Sequence, residues 1–209
     1  MDLNQQLAFY GAYHTNPVNV GIHVVCVPLI WMSALSLVLS SGLSLPSIAH
    51  ALPAPLGAPL LEFSAWLAET LPPAVYEQVN PASVASVMYW IYYAVLDLGT
   101  ALLISPLWTL YYYASWALIE YEPRGAAIAL SIFIASWVAQ FYGHGVHEGR
   151  APALLDNLLG AVVLAPLFVC FEVLFPLGYR PKLQKWLKNE TGKKVAAFRT
   201  ERARDLRAK

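Results

Sequence analysis

Long runs of apolar residues, separated by short polar stretches, dominate the pattern along this chain. The runs cover residues 18–40, 83–119, 124–142 and 152–177. Their apolar residues follow one another without the period of a surface helix or the alternation of a strand, and such continuity favours helices surrounded by lipid. The run 83–119 is too long for one span of about 20 residues, so we expect two helices that meet at Ser105 and Pro106.

The polar stretches between these runs predict shorter elements. Residues 1–15 predict a short amphipathic helix, and Asn16 followed by Pro17 is typical of a helix start. Residues 41–82 contain seven prolines. We expect a proline-rich loop there, with one short amphipathic helix near residues 60–71 that lies on the membrane surface.

The composition supports a membrane protein. Of the 209 residues, 58% are apolar and 12% are charged, whereas soluble domains have about 25% charged residues. We therefore predict an all-α, polytopic helical membrane protein with four to five membrane segments. The number depends on the last run, which either spans the membrane or re-enters it at a break near Pro166.

Charge is distributed unevenly along a chain whose formal net charge is zero. Residues 180–209 hold eleven Lys and Arg against three acidic residues. A basic segment attached to a membrane body fits anionic lipid better than nucleic acid, so we expect membrane lipid and no nucleic acid as a partner. We divide the chain into a helical membrane domain, residues 1–179, and a basic juxtamembrane tail, residues 180–209.

Four of the five histidines lie at the ends of apolar runs. His14 and His23 lie at the start of the first run, and His144 and His147 lie where the run 124–142 ends. Imidazole is the commonest metal-binding side chain. Glu148 follows His144 by four residues, so the two share a face if the helix continues. The pattern predicts a metal site at a membrane boundary.

Topology places a demand on this site. His23 and His144 lie on the same face of the membrane only if an even number of crossings separates them. This requires the run 83–119 to form two helices. Asp156 also lies close to the second histidine pair in the sequence, where it could orient an imidazole N–H. Stabilisation of the first turn of a helix is an equally good explanation of Asp156.

At these residues the chain resembles the fungal 2-hydroxy fatty acid dioxygenases, membrane proteins of the endoplasmic reticulum. The resemblance rests on three segments, residues 9–23 (FYGAYHTNPVNVGIH), 140–158 (QFYGHGVHEGRAPALLDNL) and 163–175 (VLAPLFVCFEVLF). It implies a multi-pass protein of the endoplasmic reticulum membrane with Fe²⁺ as cofactor. It also implies α-oxidation, as in phytosphingosine breakdown, in which a 2-hydroxy fatty acid reacts with dioxygen and loses one carbon.

We expect His14, His23 and His144 to bind this metal, with His147 as a fourth ligand and Glu148 as ligand or base. Asp156 completes the predicted catalytic residues. Two other classes of protein stay open. A non-enzymatic membrane scaffold or lipid-binding protein would use the basic tail to recruit anionic lipid. A metal transporter would need ligands along the interiors of its helices, whereas here they lie at the ends.

Overall fold

A computed structural model describes residues 2–149 and 158–207, which form helices and no strand. One π-helical turn, Gly143–Glu148, follows α7 directly and is called the π-turn below. The α-helices are α1 (Leu3–Gly11), α2 (Pro17–Ser40), α3 (Leu45–Ala51), α4 (Ala54–Thr70), α5 (Pro73–Tyr76), α6 (Pro81–Tyr121), α7 (Gly125–Tyr142), α8 (Leu158–Leu174) and α9 (Pro181–Arg207).

The chain divides into two compact units. The first unit comprises Met1–Leu29 together with Ala135–Lys209, and the second comprises Ile30–Ile134. Within the described residues, three helices are long and apolar enough to cross a membrane: α2, α6, and α7 continued through the π-turn. A shorter apolar helix covers Val162–Leu174. The prediction of four to five membrane segments therefore stays a prediction.

The start of the chain agrees with the sequence. Asp2 caps α1, since its Oδ1 accepts a hydrogen bond of 3.0 Å from the backbone N–H of Asn4. Asn16 Oδ1 accepts from the N–H of Val18 at 2.9 Å, and α2 begins at Pro17. Both the amphipathic first helix and the Asn-Pro helix start are confirmed.

In the second unit, α6 folds back on itself at Asp97, whose backbone leaves the helical region (φ −162°, ψ 94°). The indole Nε1 of Trp108 donates to Ser86 O at 2.9 Å, and that of Trp90 donates to Ala101 O at 3.1 Å. In each bond, one partner precedes residue 97 and the other follows it, so the two halves of α6 run antiparallel. The predicted division of this run into two helices is confirmed.

The position of the break differs from the prediction, and side-chain hydrogen bonds explain why. Asp97 accepts a hydrogen bond from the hydroxyl of Thr100, three residues further on in the returning half, and this bond fixes the turn at residue 97. Pro106 leaves the carbonyl of Leu102 without its usual N–H partner. The Ser105 hydroxyl donates to that carbonyl at 2.7 Å, so the helix continues through Pro106.

The segment 41–82 is mostly helical, so the prediction of a loop is wrong over α3, α4 and α5, whereas the short helix predicted near residues 60–71 corresponds to α4. Most of its prolines lie at or next to the first residues of a helix, where the missing N–H costs no intrahelical bond, and Pro59 lies inside α4. Ser44 and Ser47 form a capping box at the start of α3. Gly57 allows α4 to pack on α3, since a Cβ there would lie 2.3 Å from Ala49 O.

The last apolar run and the basic segment are also helical. In α8 the helix runs through Pro166 without the predicted interruption. Residues 181–207 of the predicted tail form α9, and α1 packs against both α8 and α9 in the first unit. The division of the chain at residue 179, and the question of whether the last run spans or re-enters a membrane, stay predictions.

Candidate metal centre

Three of the four predicted histidines lie together in the first unit. His14 follows α1, His23 lies in the second turn of α2, and His144 lies in the π-turn. Their ring centroids are 4.4 Å (His14 to His23), 4.8 Å (His14 to His144) and 4.9 Å (His23 to His144) apart. One ring nitrogen of each lies within 4.8 Å of the others, and all three side chains are buried. This triad has the donor set and spacing of a metal site.

Backbone carbonyls set the protonation of two of the imidazoles. His14 Nδ1 lies 2.8 Å from Tyr10 O, and His23 Nδ1 lies 2.9 Å from Asn19 O, each one helical turn earlier. Since a carbonyl oxygen can only accept, each Nδ1 donates. The Nε2 atoms of His14 and His23 therefore carry lone pairs when the rings are neutral, which is the form that binds a metal.

Buried ring nitrogens in the triad lack hydrogen-bond partners. Among the described residues, neither His14 Nε2 nor His144 Nδ1 has a partner, although both atoms are buried. Burying an unpaired polar atom costs about 1–3 kcal/mol, so such atoms call for a bound group. A metal ion accepts lone pairs from these nitrogens, and the residues present fit one.

Burial also keeps His14 ready to bind a metal. Desolvation, and secondarily the nearby His23, hold the pKa of His14 well below its usual value. The Tyr10 ring stacks on His14 with centroids 4.2 Å apart and planes 4° from parallel, and Phe168 contacts its ring from α8. His14 is therefore neutral at pH 7 and competes little for protons when a metal binds.

Glu148 connects the π-turn to the start of α2. Its Oε1 accepts from the backbone N–H and the hydroxyl of Thr15, both at 2.6 Å, and its Oε2 accepts from the N–H of Asn16 at 2.9 Å. A carboxylate at the N-terminus of a helix is also favoured by the helix dipole. The carboxylate interacts electrostatically with His23 and His144, but it lies outside the three-histidine group.

The π-turn separates His147 from His144. A π-helix bonds i to i+5, so it needs more residues per turn than an α-helix. Glu148 follows His144 by four residues, which is almost one π-helical turn, so the two side chains lie on the same side of the helix. His147 follows His144 by three residues and lies on a different side. The half-buried His147 ring contacts Tyr142, with centroids 5.4 Å apart. Asp156 lies outside the described residues, so its role stays a prediction.

Sequence reasoning missed the residue that lets α2 and the π-turn approach each other. A Cβ at Gly143 would lie 2.5 Å from Asn19 Oδ1 and 3.2 Å from Ile22 Cδ1. The glycines on both sides of His144 were the available signal, but they also fit the end of a helix. In contrast to Gly143, a Cβ at Gly145 would meet nothing within 4 Å. Gly143 alone of the two is needed for the contact.

A cavity of about 830 Å³ lies beside the triad, also in the first unit. His14 and the first turns of α2 form one wall, and α8 and α9 form the others. Cavities of this size hold small-molecule ligands. The predicted tail thus contributes residues to the surroundings of the candidate metal centre.

The fold and site define an all-helical protein whose described part holds three membrane-length apolar helices and a buried histidine triad suited to a transition metal. A family model described as "2-hydroxy-palmitic acid dioxygenase Mpo1-like" matches residues 1–177. The chain is 34% identical over 203 residues to the "2-hydroxy-palmitic acid dioxygenase MPO1" of Saccharomyces cerevisiae, covering 97% of each protein. This chain belongs to the Mpo1-like family, which confirms the resemblance noted from the sequence. No solved structure matches it.

Proposed function

We propose that this protein is an Fe²⁺-dependent dioxygenase that shortens 2-hydroxy long-chain fatty acids by one carbon. One observation carries the proposal: three buried imidazoles place ligand nitrogens within 4.8 Å of one another. The yeast relative's name, a 2-hydroxy-palmitic acid dioxygenase, supports the reaction and the class of substrate. The apolar helices support a membrane location, and we propose a multi-pass protein of the endoplasmic reticulum membrane.

His14, His23 and His144 would hold the metal. With three nitrogen ligands, such a metal would keep open positions at which a 2-hydroxy acid could bind through its carboxylate and hydroxyl oxygens. Bound Fe²⁺ would supply the redox chemistry of the reaction: with dioxygen as the four-electron oxidant and no other reductant, the 2-hydroxy acid would give the acid one carbon shorter, carbon dioxide from C1, and water. Nitrogen and oxygen donors with open positions are typical of non-haem iron oxygenases.

The surrounding residues orient the imidazoles and keep water away. The carbonyls of Tyr10 and Asn19 hold His14 and His23 with Nε2 available, a supporting role that outer residues commonly play at metal sites. Burial of all three rings excludes bulk water from the reacting atoms. Glu148 acts as a positioning residue, because both of its oxygens already accept hydrogen bonds from residues 15 and 16.

The experiment measures metal content and turnover of the full chain, purified in lipid nanodiscs. We expect wild-type protein to contain iron and to convert 2-hydroxypalmitate, in the presence of dioxygen, to the acid with one carbon fewer. His23→Ala and His144→Ala each remove a ligand, so we expect both to lose iron and turnover. His50→Ala is the matched control, because His50 is exposed on α3 and lies outside the triad.

The outcomes separate this proposal from a non-enzymatic lipid-binding protein. Wild-type protein without a transition metal, or histidine variants that turn over like wild type, would contradict a metal-dependent dioxygenase. A metal other than iron, with turnover retained, would contradict the choice of Fe²⁺ alone.

A further inference from the structure

The cavity of the first unit reaches the candidate metal centre through His14. This side chain lines the cavity and is only 6% exposed, and its Nε2 has no hydrogen-bond partner among the described residues. A molecule in the cavity therefore contacts one residue of the triad. The proposed function uses the triad, but it does not say which residues recognise the rest of the substrate.

One face of α9 forms a wall of this cavity. The residues of α9 that line the cavity repeat with the spacing of one helix face. They include Gln184, Leu187, Lys188, Thr191, Val195 and Arg199. Close packing on α1 holds this face in place, since a Cβ at Gly11 would lie 2.9 Å from Thr191 Oγ1. The basic segment is thus attached to the unit that carries the triad.

The cavity combines apolar walls with a surplus of positive charge. Phe168 of α8, Phe175 directly after α8 and Val20 of α2 supply apolar surface. Lys188 and Arg199 lie eleven residues apart on α9, or about 16 Å along its axis. The charged residues that line the cavity in the described part of the chain are two cations, Lys188 and Arg199, and one carboxylate, Glu172. Glu172 interacts electrostatically with Lys188.

We infer that α9 is the wall that recognises the fatty acid: the positive charge of Lys188 and Arg199 draws its anionic head group into the cavity on the way to the triad, and the apolar residues hold its acyl chain. Positive side chains along a cleft raise the local concentration of anions, and the long alkyl chains of Lys and Arg can pack along an acyl chain. This inference rests on the proposed function for the class of substrate. It adds a preference for free acids over esters and alcohols, and it assigns that preference to α9.

The test uses palmitate, which lacks the 2-hydroxyl group, with full-length protein in phosphatidylcholine nanodiscs. We expect the double variant Lys188→Gln, Arg199→Gln to bind palmitate about tenfold more weakly, because the cavity loses the two positive charges that attract an anion. Its affinity for hexadecanol should stay unchanged. With 2-hydroxypalmitate, we expect KM to rise about tenfold with little change in kcat. The matched control is Lys185→Gln, Lys194→Gln, which removes two exposed α9 lysines that do not line the cavity.

Three results would overturn the inference. The first is a Lys188, Arg199 double variant that binds palmitate like wild type. The second is an equal loss of palmitate affinity in the control variant, which would show a general effect of charge. The third is a double variant that loses affinity for vesicles containing phosphatidylserine but keeps its affinity for palmitate, because its cations would then bind lipid headgroups.

Failure of the proposed function gives a different pattern. Palmitate binding can be measured in His144→Ala, which should lack the metal. A wild-type protein without metal or turnover, whose palmitate binding still depends on Lys188 and Arg199, would support a fatty acid site while contradicting the dioxygenase.

Discussion

The two units treat buried polar groups in opposite ways. In the second unit, buried hydroxyl and indole groups donate to backbone carbonyls, such as Ser115 to Met32 at 2.9 Å and Trp108 to Ser86 at 2.9 Å. Among the described residues, that unit holds one buried side-chain atom without a partner, Trp31 Nε1. The first unit holds five such atoms, in His14, Asn19, Gln140, His144 and Thr191.

This difference separates polar groups that build the fold from polar groups available to a ligand. A buried polar atom without a partner costs about 1–3 kcal/mol, and each one asks for an explanation such as a bound ion or a functional role. Two of the five atoms are ring nitrogens of the triad, which indicates that the first unit gives up stability for binding. The second unit keeps its buried polar groups paired, with Trp31 Nε1 as the exception among its described residues. Three substitutions test this division.

The largest effect is expected for Gly143→Ala. The new Cβ would lie 2.5 Å from Asn19 Oδ1, so the buried Asn19 side chain must move, and the close contact between the π-turn and α2 that places His144 beside His23 is disturbed. We expect metal affinity to fall by about a hundredfold, the upper end of the effect of residues that orient metal ligands. Gly145→Ala is the matched control, because its Cβ meets nothing within 4 Å. Titration with metal measures both, and equal affinities would contradict the structural role of Gly143.

An intermediate effect is expected for Glu148→Gln. The amide keeps one acceptor for Thr15, but its NH₂ group faces the N–H of Asn16, which needs an acceptor. We expect metal affinity to fall about ten- to a hundredfold, as for other residues that orient metal ligands. Glu122→Gln is the control, since exposed Glu122 in the second unit also accepts from a backbone N–H, that of Arg124. A loss of affinity in the control alone would reverse the comparison between the units.

The smallest effect is expected in the second unit, for Asn80→Ala. Asn80 Oδ1 accepts from the N–H groups of Ala82 and Ser83, and its Nδ2 donates to Tyr112 Oη at 2.9 Å. We expect the free energy of unfolding to fall by about 1–2 kcal/mol, the usual cost of a lost N-cap. Metal content should not change. Thermal unfolding measures the first quantity, with exposed Asn189→Ala as control, and a loss of bound metal would show that this unit does more than support.

The sequence predicted the parts of this protein that depend on local chemistry. Apolar runs located α2, α6 and α7, and Asn16 with Pro17 predicted the start of α2. The crossing argument required the run 83–119 to fold back, and α6 does so. Three of the four predicted histidines lie together because they stand at the ends of helical segments that come into contact in the fold.

The rest depended on contacts that spacing along the chain does not contain. The Thr100 hydroxyl donates to Asp97 at the fold-back, and the Ser105 hydroxyl compensates for Pro106, so the chain turns nine residues before Pro106. Prolines signal both loops and first helical turns, which made residues 41–82 look irregular. The packing of α9 was not predicted, because positive charge indicated a basic juxtamembrane tail, whereas the contact of α9 with α1 depends on Gly11 and Thr191.

The π-turn bears on how this family diverges. Because a π-turn holds one residue more than the α-helical turn it replaces, Gly143–Glu148 corresponds to a single-residue insertion in a regular helix. A helix without that residue would turn Glu148 away from the start of α2 by about 100°. Alignments of relatives should therefore be inspected for a one-residue gap here, since such a gap would mark a protein that keeps the fold and has lost the link between Glu148 and α2.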